Sequence, residues 1–179
     1  MPSDKHKQTP VSLLKSHDEE TGELNVVVET PKGSRIKYKY DEQSGMFKAN
    51  DFMPEGMMFP FDFGFVPSTR GQDGDPLDVL MLMDAPAFSG CLVKARLVGV
   101  IQADQKEEDG QTVRNDRLVA VAAESRIHSD VKSLEQLNKN LLDEIEHFFK
   151  SYTEMLGKKF MPRGRAGPAR AKQIVEQGM

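Results

Sequence analysis

The sequence has little of several features that mark particular classes of protein. It contains a single cysteine, Cys91, so an internal disulfide framework cannot form and a reducing compartment is expected. No stretch approaches the roughly eighteen apolar residues that a membrane span requires. Residues 1–23 also lack the apolar core of a signal peptide. The net charge is only −4, which gives no general attraction to nucleic acid or anionic membranes. We therefore expect a cytoplasmic protein that does not bind membranes.

The length and composition of the chain are those of a folded protein of ordinary domain size. The chain has 179 residues, of which 38% are hydrophobic and 29% charged. Residues 1–22 are polar and mixed in charge, and they are predicted to form an arm ahead of one domain over residues 23–179. Internal repeats and low-complexity linkers are absent from the sequence.

Short strands are predicted first and helices afterwards. The β-branched or alternating segments that predict strands are 24–30, 36–40, 46–48, 91–101 and 117–123. Gly99 predicts a bulge in the fourth of these. Phenylalanines alternate along 59–65, but Pro60 and Gly64 argue against a regular central strand there. Residues 103–116 are predicted to be a polar loop. All of the predicted strands thus lie before residue 124.

Two helices complete the predicted fold. A capping-box pattern at Ser133 and apolar residues at helical spacing up to Tyr152 predict the first helix, which Gly157 ends. The pair Gly167-Pro168 begins a shorter second helix. Many short strands followed by two helices predict an α+β fold, most simply a small closed barrel with both helices packed outside it.

The segment Asp73-Gly74-Asp75-Pro76-Leu77-Asp78 concentrates three carboxylates in six residues. In an extended chain Asp73 and Asp75 share a face and Asp78 points away, but a bend at Gly74 and Pro76 could bring all three together. Converging carboxylates repel one another unless a cation lies between them, and oxygen ligands suit a hard ion such as Mg²⁺. From the residues alone, this segment is either an acidic surface turn before a buried strand or a metal site.

Several blocks in the right order resemble the family I soluble inorganic pyrophosphatases, from about residue 23 to residue 152. The family's signature D-x-D-P-[aliphatic]-D-[aliphatic] matches residues 73–79. Other matching blocks are Val28-Glu29-Thr30-Pro31, Ile36-Lys37-Tyr38, the Phe-rich stretch 59–65, Leu97-Val98-Gly99-Val100, Leu118-Val119-Ala120-Val121 and His147-Phe148-Phe149 with Tyr152.

The resemblance implies a five-stranded OB-type barrel, a homo-oligomer, and hydrolysis of inorganic diphosphate with several Mg²⁺ ions. By the family pattern, Asp73 and Asp78 hold the activating metal ions. Asp75 is the general base that takes a proton from a metal-bound water, and it also belongs to the metal cluster. Glu29 lines the same cavity, and Lys37 and Tyr152 contact phosphate oxygens.

The chain departs from the family pattern around this centre. Lys39 stands where the family usually has Glu, and Asp51 stands where a basic residue is expected, with Lys48 near enough in sequence to replace it. Phe59 and Phe63 occupy positions that are usually Tyr. Thr153 replaces a Lys. These changes alter the ring of phosphate ligands around the three aspartates.

A further departure concerns the third metal ligand. In the block before the strand at residue 118 the family has D-x-K, and here the residues are Asn115-Asp116-Arg117. Arg117 replaces the Lys as a substrate-binding residue. Asp116 could replace the missing aspartate if a bulge turns it inward, and Asp104 is a further candidate.

Two other functions are compatible with the sequence. The altered positions allow a diphosphate- or nucleotide-binding protein with weakened catalysis on the same fold. The OB-type barrel and a basic C-terminal segment allow nucleic-acid binding, although basic tails are usually solvated and nucleic acid is not the expected partner. The basic residues of that segment are Lys158, Lys159, Arg163, Arg165, Arg170 and Lys172.

Overall fold

A computed structural model describes residues 11–179, so residues 1–10 of the predicted arm lie outside the described part of the chain. The strands are β1 (Leu24–Thr30), β2 (Ile36–Asp41), β3 (Met46–Phe52), β4 (Asp62–Phe65), β5 (Asp78–Leu82), β6 (Leu92–Lys106), β7 (Thr112–Arg114), β8 (Arg117–Ala122) and β9 (Lys159–Ala166). The helices are α1 (Lys139–Met155) and α2 (Pro168–Gly178), with short 3₁₀ turns at Val11–Leu13 and Leu134–Gln136.

Five of the strands form a closed ring in the order β1-β4-β5-β8-β6, and β6 pairs again with β1. Only the β5–β8 pair among them is parallel. Strands β2 and β3 form a separate hairpin, and β7 and β9 pair with β6. The predicted α+β class and five-stranded OB-type barrel are therefore confirmed.

The two faces of the barrel strands enter different hydrophobic clusters. Along β5, Val79 and Met81 belong to one cluster and Leu80 and Leu82 to the other, as the alternation of a strand requires. Helix α2 packs its buried side chains into the first cluster, and α1 packs its own into the second. Helix α1 thereby brings Tyr152 to the side of the barrel that carries the site described below.

Strand β4 corrects one prediction. It lies between β1 and β5 despite Gly64, which was expected to oppose a central strand. A Cβ on Gly64 would collide with the carbonyl oxygen of Val27 and lie 2.9 Å from its carbonyl carbon. Glycine therefore permits the close approach of β1 and β4, and the register shifts between Val28 and Thr30.

The predicted polar loop at 103–116 is also wrong. Strand β6 continues to Lys106 and turns back into β7, and β9 pairs along β6 from Val100 to Lys106. These two pairings satisfy backbone groups that the polar sequence suggested were solvated. The Gly99 bulge is confirmed by a register shift between Leu97 and Gly99.

Strand β9 also gives the basic C-terminal segment a structural role. Arg163 contacts Asp104 at 2.6 Å, and Arg165 contacts Asp143 and Glu146 at 2.6 and 2.7 Å. Cations already paired with carboxylates in this way offer less charge to a nucleic-acid backbone.

The helix boundaries differ slightly from the prediction. The capping box at Ser133 begins only the 3₁₀ turn, whereas α1 begins at Lys139 after the N-cap Asn138, whose side chain accepts from the backbone N–H of Asn140. Gly157, with φ of 72°, follows the end of α1 as predicted. Within residues 11–179, neither helix combines the length and the apolar character needed to cross a membrane.

Residues 11–22 lie against the barrel domain. The Ser68 hydroxyl donates to the carbonyl of Leu14 at 2.6 Å, and Asp18 forms an ion pair with Lys94 of β6 at 2.9 Å. His17 forms an isolated β-bridge with Leu24.

Candidate active site

A cleft of about 1030 Å³ lies where the β2–β3 hairpin, the turn before β5, the start of β8 and the end of α1 meet. Most residues that the sequence predicted for the site line it. These are Glu29, Lys37, Asp73, Asp75, Asp78, Arg117 and Tyr152.

The turn before β5 brings the three aspartates into the cleft. Asp73 Oδ1 accepts the backbone N–H of Asp75 at 3.1 Å, and Gly71 donates its N–H to the carbonyl of Asp75 at 2.8 Å. Gly74 has φ of 87°, a left-handed conformation that glycine adopts without strain. Asp78 is the first residue of β5. The bend that the sequence suggested is therefore present.

Arg117 and Asp78 form an ion pair in the depth of the cleft. Arg117 Nη1 lies 2.7 Å from Asp78 Oδ2, and the guanidinium carbon lies 5.0 Å from the centroid of the Phe149 ring. Burial raises the pKa of Asp78 to about 6, with Arg117 and Lys37 opposing the shift and Glu29 adding to it. The neighbouring cations therefore do not fully compensate the buried carboxyl group.

Glu29 and Lys37 form a second buried pair. Lys37 Nζ lies 3.1 Å from Glu29 Oε2, while Glu29 Oε1 accepts the backbone N–H of Tyr40 at 2.9 Å. The ammonium also lies 4.2 Å from the centroid of the Phe63 ring. Phe63 thus contributes a cation–π contact at a position where the family usually has a hydroxyl.

Lys39 contacts the carboxylate that the sequence predicts as general base. Its Nζ lies 2.9 Å from Asp75 Oδ2. Burial disfavours the charged ammonium, but the hydrogen bond to Asp75 and the charges of Asp75, Glu29 and Asp78 outweigh it and raise the pKa of Lys39. This departure from the family pattern therefore places a cation within the acidic cluster.

Asp51 lies at the α1 side of the cleft. The Tyr152 hydroxyl donates to Asp51 Oδ2 at 3.2 Å. Burial raises the pKa of Tyr152, and the adjacent charge of Asp51 raises it further. Tyr152 therefore remains protonated and can donate a hydrogen bond at neutral pH.

An amide pair lies beside Arg117. Asn115 Nδ2 is 3.4 Å from Gln105 Oε1, and Arg117 Nη1 donates to Asn115 Oδ1. Both amides line the cleft. Sequence reasoning missed Gln105 because it assigned the residue to a loop, although the buried alternation of Ala103 and Gln105 continues the pattern of β6.

Three predicted site residues do not line this cleft. Asp116 Oδ1 accepts from Arg114 Nε at 2.6 Å and from the Ala103 N–H at 3.0 Å, and its side chain borders a neighbouring cavity of about 580 Å³. Asp104 is paired with Arg163. Lys48 lies 3.0 Å from Asp41. Each of these side chains is engaged by an oppositely charged neighbour.

The donor set of the cleft suits a hard divalent ion. Asp73, Asp75 and Asp78 offer carboxylate oxygens, which Mg²⁺ prefers. Burial also raises the pKa of Asp73, against the hydrogen bond from the Asp75 N–H, so added positive charge would stabilise its ionised form. Within residues 11–179, no three acidic, His or Cys side chains are already gathered as a metal cluster. Asp75 and Asp78 are instead paired with Lys39 and Arg117.

Comparison with known proteins agrees with this arrangement. The family model described as inorganic pyrophosphatase matches residues 26–179. An inorganic pyrophosphatase of Halalkalibacterium halodurans is 40% identical over 136 residues, covering 76% of this chain and 80% of its own. That of Helicobacter pylori is 36% identical over 167 residues, covering 92% of each chain.

Solved structures agree as well. The crystal structure of inorganic pyrophosphatase from Thermus thermophilus superposes with a TM-score of 0.84 at 30% identity, covering 94% of this chain and 95% of its own. The structure of the Helicobacter pylori enzyme gives a TM-score of 0.81 at 36% identity, covering 93% and 95%. The chain belongs to the inorganic pyrophosphatase family.

Proposed function

We propose that this protein hydrolyses inorganic diphosphate to two phosphate ions in the cleft between the β2–β3 hairpin and α1, with Mg²⁺ as its metal. The observation that carries the proposal is that Asp73, Asp75 and Asp78 line the same cleft as Lys37 and Arg117. Carboxylates for a metal and cations for phosphate oxygens are the two requirements of phosphoanhydride cleavage. The relatives named as inorganic pyrophosphatases support the same substrate.

Asp75 is the proton acceptor in this proposal. Although Lys39 contacts its Oδ2, the Asp75 side chain is 56% exposed and water can reach it, whereas the Asp78 side chain is 22% exposed and paired with the buried Arg117. The water oxygen bonds to one phosphorus atom, the bond from that phosphorus to the bridging oxygen breaks, and the water's proton passes to Asp75. A positioned base of this kind contributes about 10²- to 10⁴-fold to a rate.

The cations of the cleft stabilise the departing phosphate. Lys37 and Arg117 reach the cleft from β2 and β8, and aromatic rings hold both cationic groups in place. Tyr152 can donate its hydroxyl to a phosphate oxygen once it leaves Asp51. These groups act on the negative charge that develops on the leaving oxygen.

Asp73, Asp75 and Asp78 are the residues proposed to hold the metal. A bound divalent ion screens the phosphate charges and lowers the pKa of water. We assign no role in the site to Asp104, Asp116 or Lys48, because each side chain contacts an oppositely charged residue outside the cleft.

We also propose a homo-oligomer, on the basis of family membership. Exposed apolar side chains such as Phe52, Phe88 and Ile127, which are 69%, 66% and 73% accessible, supply candidate contact surface. Sedimentation at several protein concentrations tests this proposal. A cytoplasmic location stays a prediction from the sequence.

Phosphate release from diphosphate tests the proposed function. The full chain should release two phosphate ions per diphosphate in the presence of Mg²⁺, and a chelator should stop the release. A chain that binds diphosphate with Mg²⁺ but releases no phosphate above the uncatalysed rate would contradict the proposal and indicate a binding protein.

A further inference from the structure

Two lysines of β2 enter the cleft from the same face of the strand. Lys37 neutralises the buried Glu29, and Lys39 reaches Asp75. Lys48 lies opposite Lys39 in the β2–β3 register, yet it turns to Asp41, at 3.0 Å, and does not line the cleft. The hairpin therefore directs one of two opposed lysines into the acidic cluster and the other away from it.

The Lys39–Asp75 ion pair is exposed enough for another cation to displace Lys39, and it contributes little to the stability of the fold. The Lys39 side chain is 47% exposed and that of Asp75 is 56% exposed. Ion pairs with this degree of exposure contribute little to folding stability. By contrast, the Lys37 and Glu29 side chains are only 10% and 9% exposed. Lys39 can thus leave Asp75 without disturbing the barrel.

The ammonium of Lys39 lies where it would compete with a divalent cation for Oδ2 of Asp75. A carboxylate oxygen that accepts from Nζ at 2.9 Å cannot use the same lone pair for a metal ion. A unit positive charge a few ångströms from a doubly charged ion also repels it strongly, even at the effective dielectric constant of a protein surface.

We propose that Lys39 is a tethered competitor of the divalent metal ion at Asp75, so that Mg²⁺ must displace its ammonium before Asp75 Oδ2 can serve as a ligand. The inference rests on the proposed function, because it takes the three aspartates as the metal-binding cluster. It predicts that this chain binds free Mg²⁺ more weakly than the same cleft without the Lys39 charge.

Mg²⁺ titration of the metal-free full chain by isothermal calorimetry tests the inference. We expect Lys39→Gln to lower the dissociation constant for Mg²⁺ by about tenfold, since it removes both the competing donor and the repelling charge. Lys39→Arg, which keeps a cation of similar reach, should bind Mg²⁺ within about twofold of the natural chain.

Lys48→Gln is the matched control because it removes the same charge from the facing position of the same hairpin. It should leave Mg²⁺ binding within about twofold of the natural chain, since the exposed charge lies outside the cleft. An equal change in Lys39→Gln and Lys48→Gln, or no change in Lys39→Gln, would overturn the inference. So would a Lys39→Arg variant that binds as tightly as Lys39→Gln.

The outcome is independent of turnover. Tighter Mg²⁺ binding in Lys39→Gln together with an absence of phosphate release would reject the proposed hydrolysis and support the competitor role. Phosphate release by the natural chain, together with Mg²⁺ binding that Lys39→Gln leaves unchanged, would support the proposed hydrolysis and reject the competitor role.

Discussion

Arg117 reaches Asp78 across the parallel strands β8 and β5, with Nη1 2.7 Å from Oδ2. The guanidinium packs over the Phe149 ring, and its Nε is a buried polar atom that has no hydrogen-bond partner in the described part of the chain. Arginine at position 117 keeps the positive charge of the lysine expected there, but its guanidinium is planar and less adaptable than a lysine ammonium. The pair consequently links the stability of the barrel to the chemistry of the cleft.

At pH 8, Arg117→Met should destabilise the protein by about 3 to 5 kcal/mol, because it leaves the ionised Asp78, whose side chain is only 22% exposed, without its counter-charge. Adding Asp78→Asn should recover part of that loss by neutralising the orphaned carboxylate. Urea unfolding gives both values. The control is Arg163→Met, which removes an arginine that is 60% exposed and should cost about 0 to 1 kcal/mol. Equal losses for the two single variants would contradict the account.

Asp51→Asn should lower the KM for diphosphate by about three- to tenfold. Asp51 faces the cleft and repels an anionic substrate, whereas an asparagine amide oxygen can still accept from Tyr152. Steady-state kinetics measures the change, with Asp130→Asn, an exposed aspartate that does not line the cleft, as the control. An unchanged KM in Asp51→Asn would show that Asp51 does not act on the substrate.

Gly64→Ala should destabilise the barrel by more than about 3 kcal/mol, since the new methyl group overlaps the Val27 carbonyl where β1 and β4 approach. Gly167→Ala is the matched change at an open position, where the nearest atom to a new Cβ is 3.8 Å away, and it should cost less than about 1 kcal/mol. Thermal and urea unfolding measure the loss of stability in each of the two variants. Similar losses would mean that Gly64 is not required for the strand contact.

The sequence correctly predicted the elements whose local residue preferences agree with the packing that they adopt in the fold. The β-branched run of β1 is buried along its whole length, and the bend at Gly74 follows from turn chemistry. Strand β4 and the last four residues of β6, residues 103–106, were mispredicted because their composition opposes a buried strand. Pairing with β1, β5, β7 and β9 overrides those local preferences.

The sequence predicted which residues lie near the site. It did not predict which partner each side chain contacts. Alternation along β2 placed Lys37 and Lys39 on one face, but the partners of both come from other strands and turns. Asp116 shows the limit most clearly. Its direction depends on Arg114 and on the Ala103 N–H, contacts that the primary sequence does not specify.

Asp18 should make the stability of the segment before β1 depend on pH. The hydrogen bond from Lys94, together with that from the Thr21 N–H, lowers the pKa of Asp18 to about 2. The folded pKa lies below the ordinary value of about 3.9, so the stabilisation is present above that pH and is lost as the pH falls through about 2.

The free energy of unfolding should therefore differ between the natural chain and Asp18→Asn by a constant amount above about pH 5, and the difference should shrink towards pH 2. Urea unfolding at a series of pH values measures the difference. A gap of the same size at pH 2 would show that ionised Asp18 is not its source.

The turnover of diphosphate by the natural chain and by Asp75→Asn, at saturating Mg²⁺, tests the central claim most directly. If Asp75 accepts the proton of the attacking water, the substitution should lower kcat by about 10²- to 10⁴-fold. Asp130→Asn should leave kcat unchanged. Phosphate release by the natural chain that is no faster than release by Asp75→Asn would contradict the assignment of this cleft as a diphosphate-hydrolysing site.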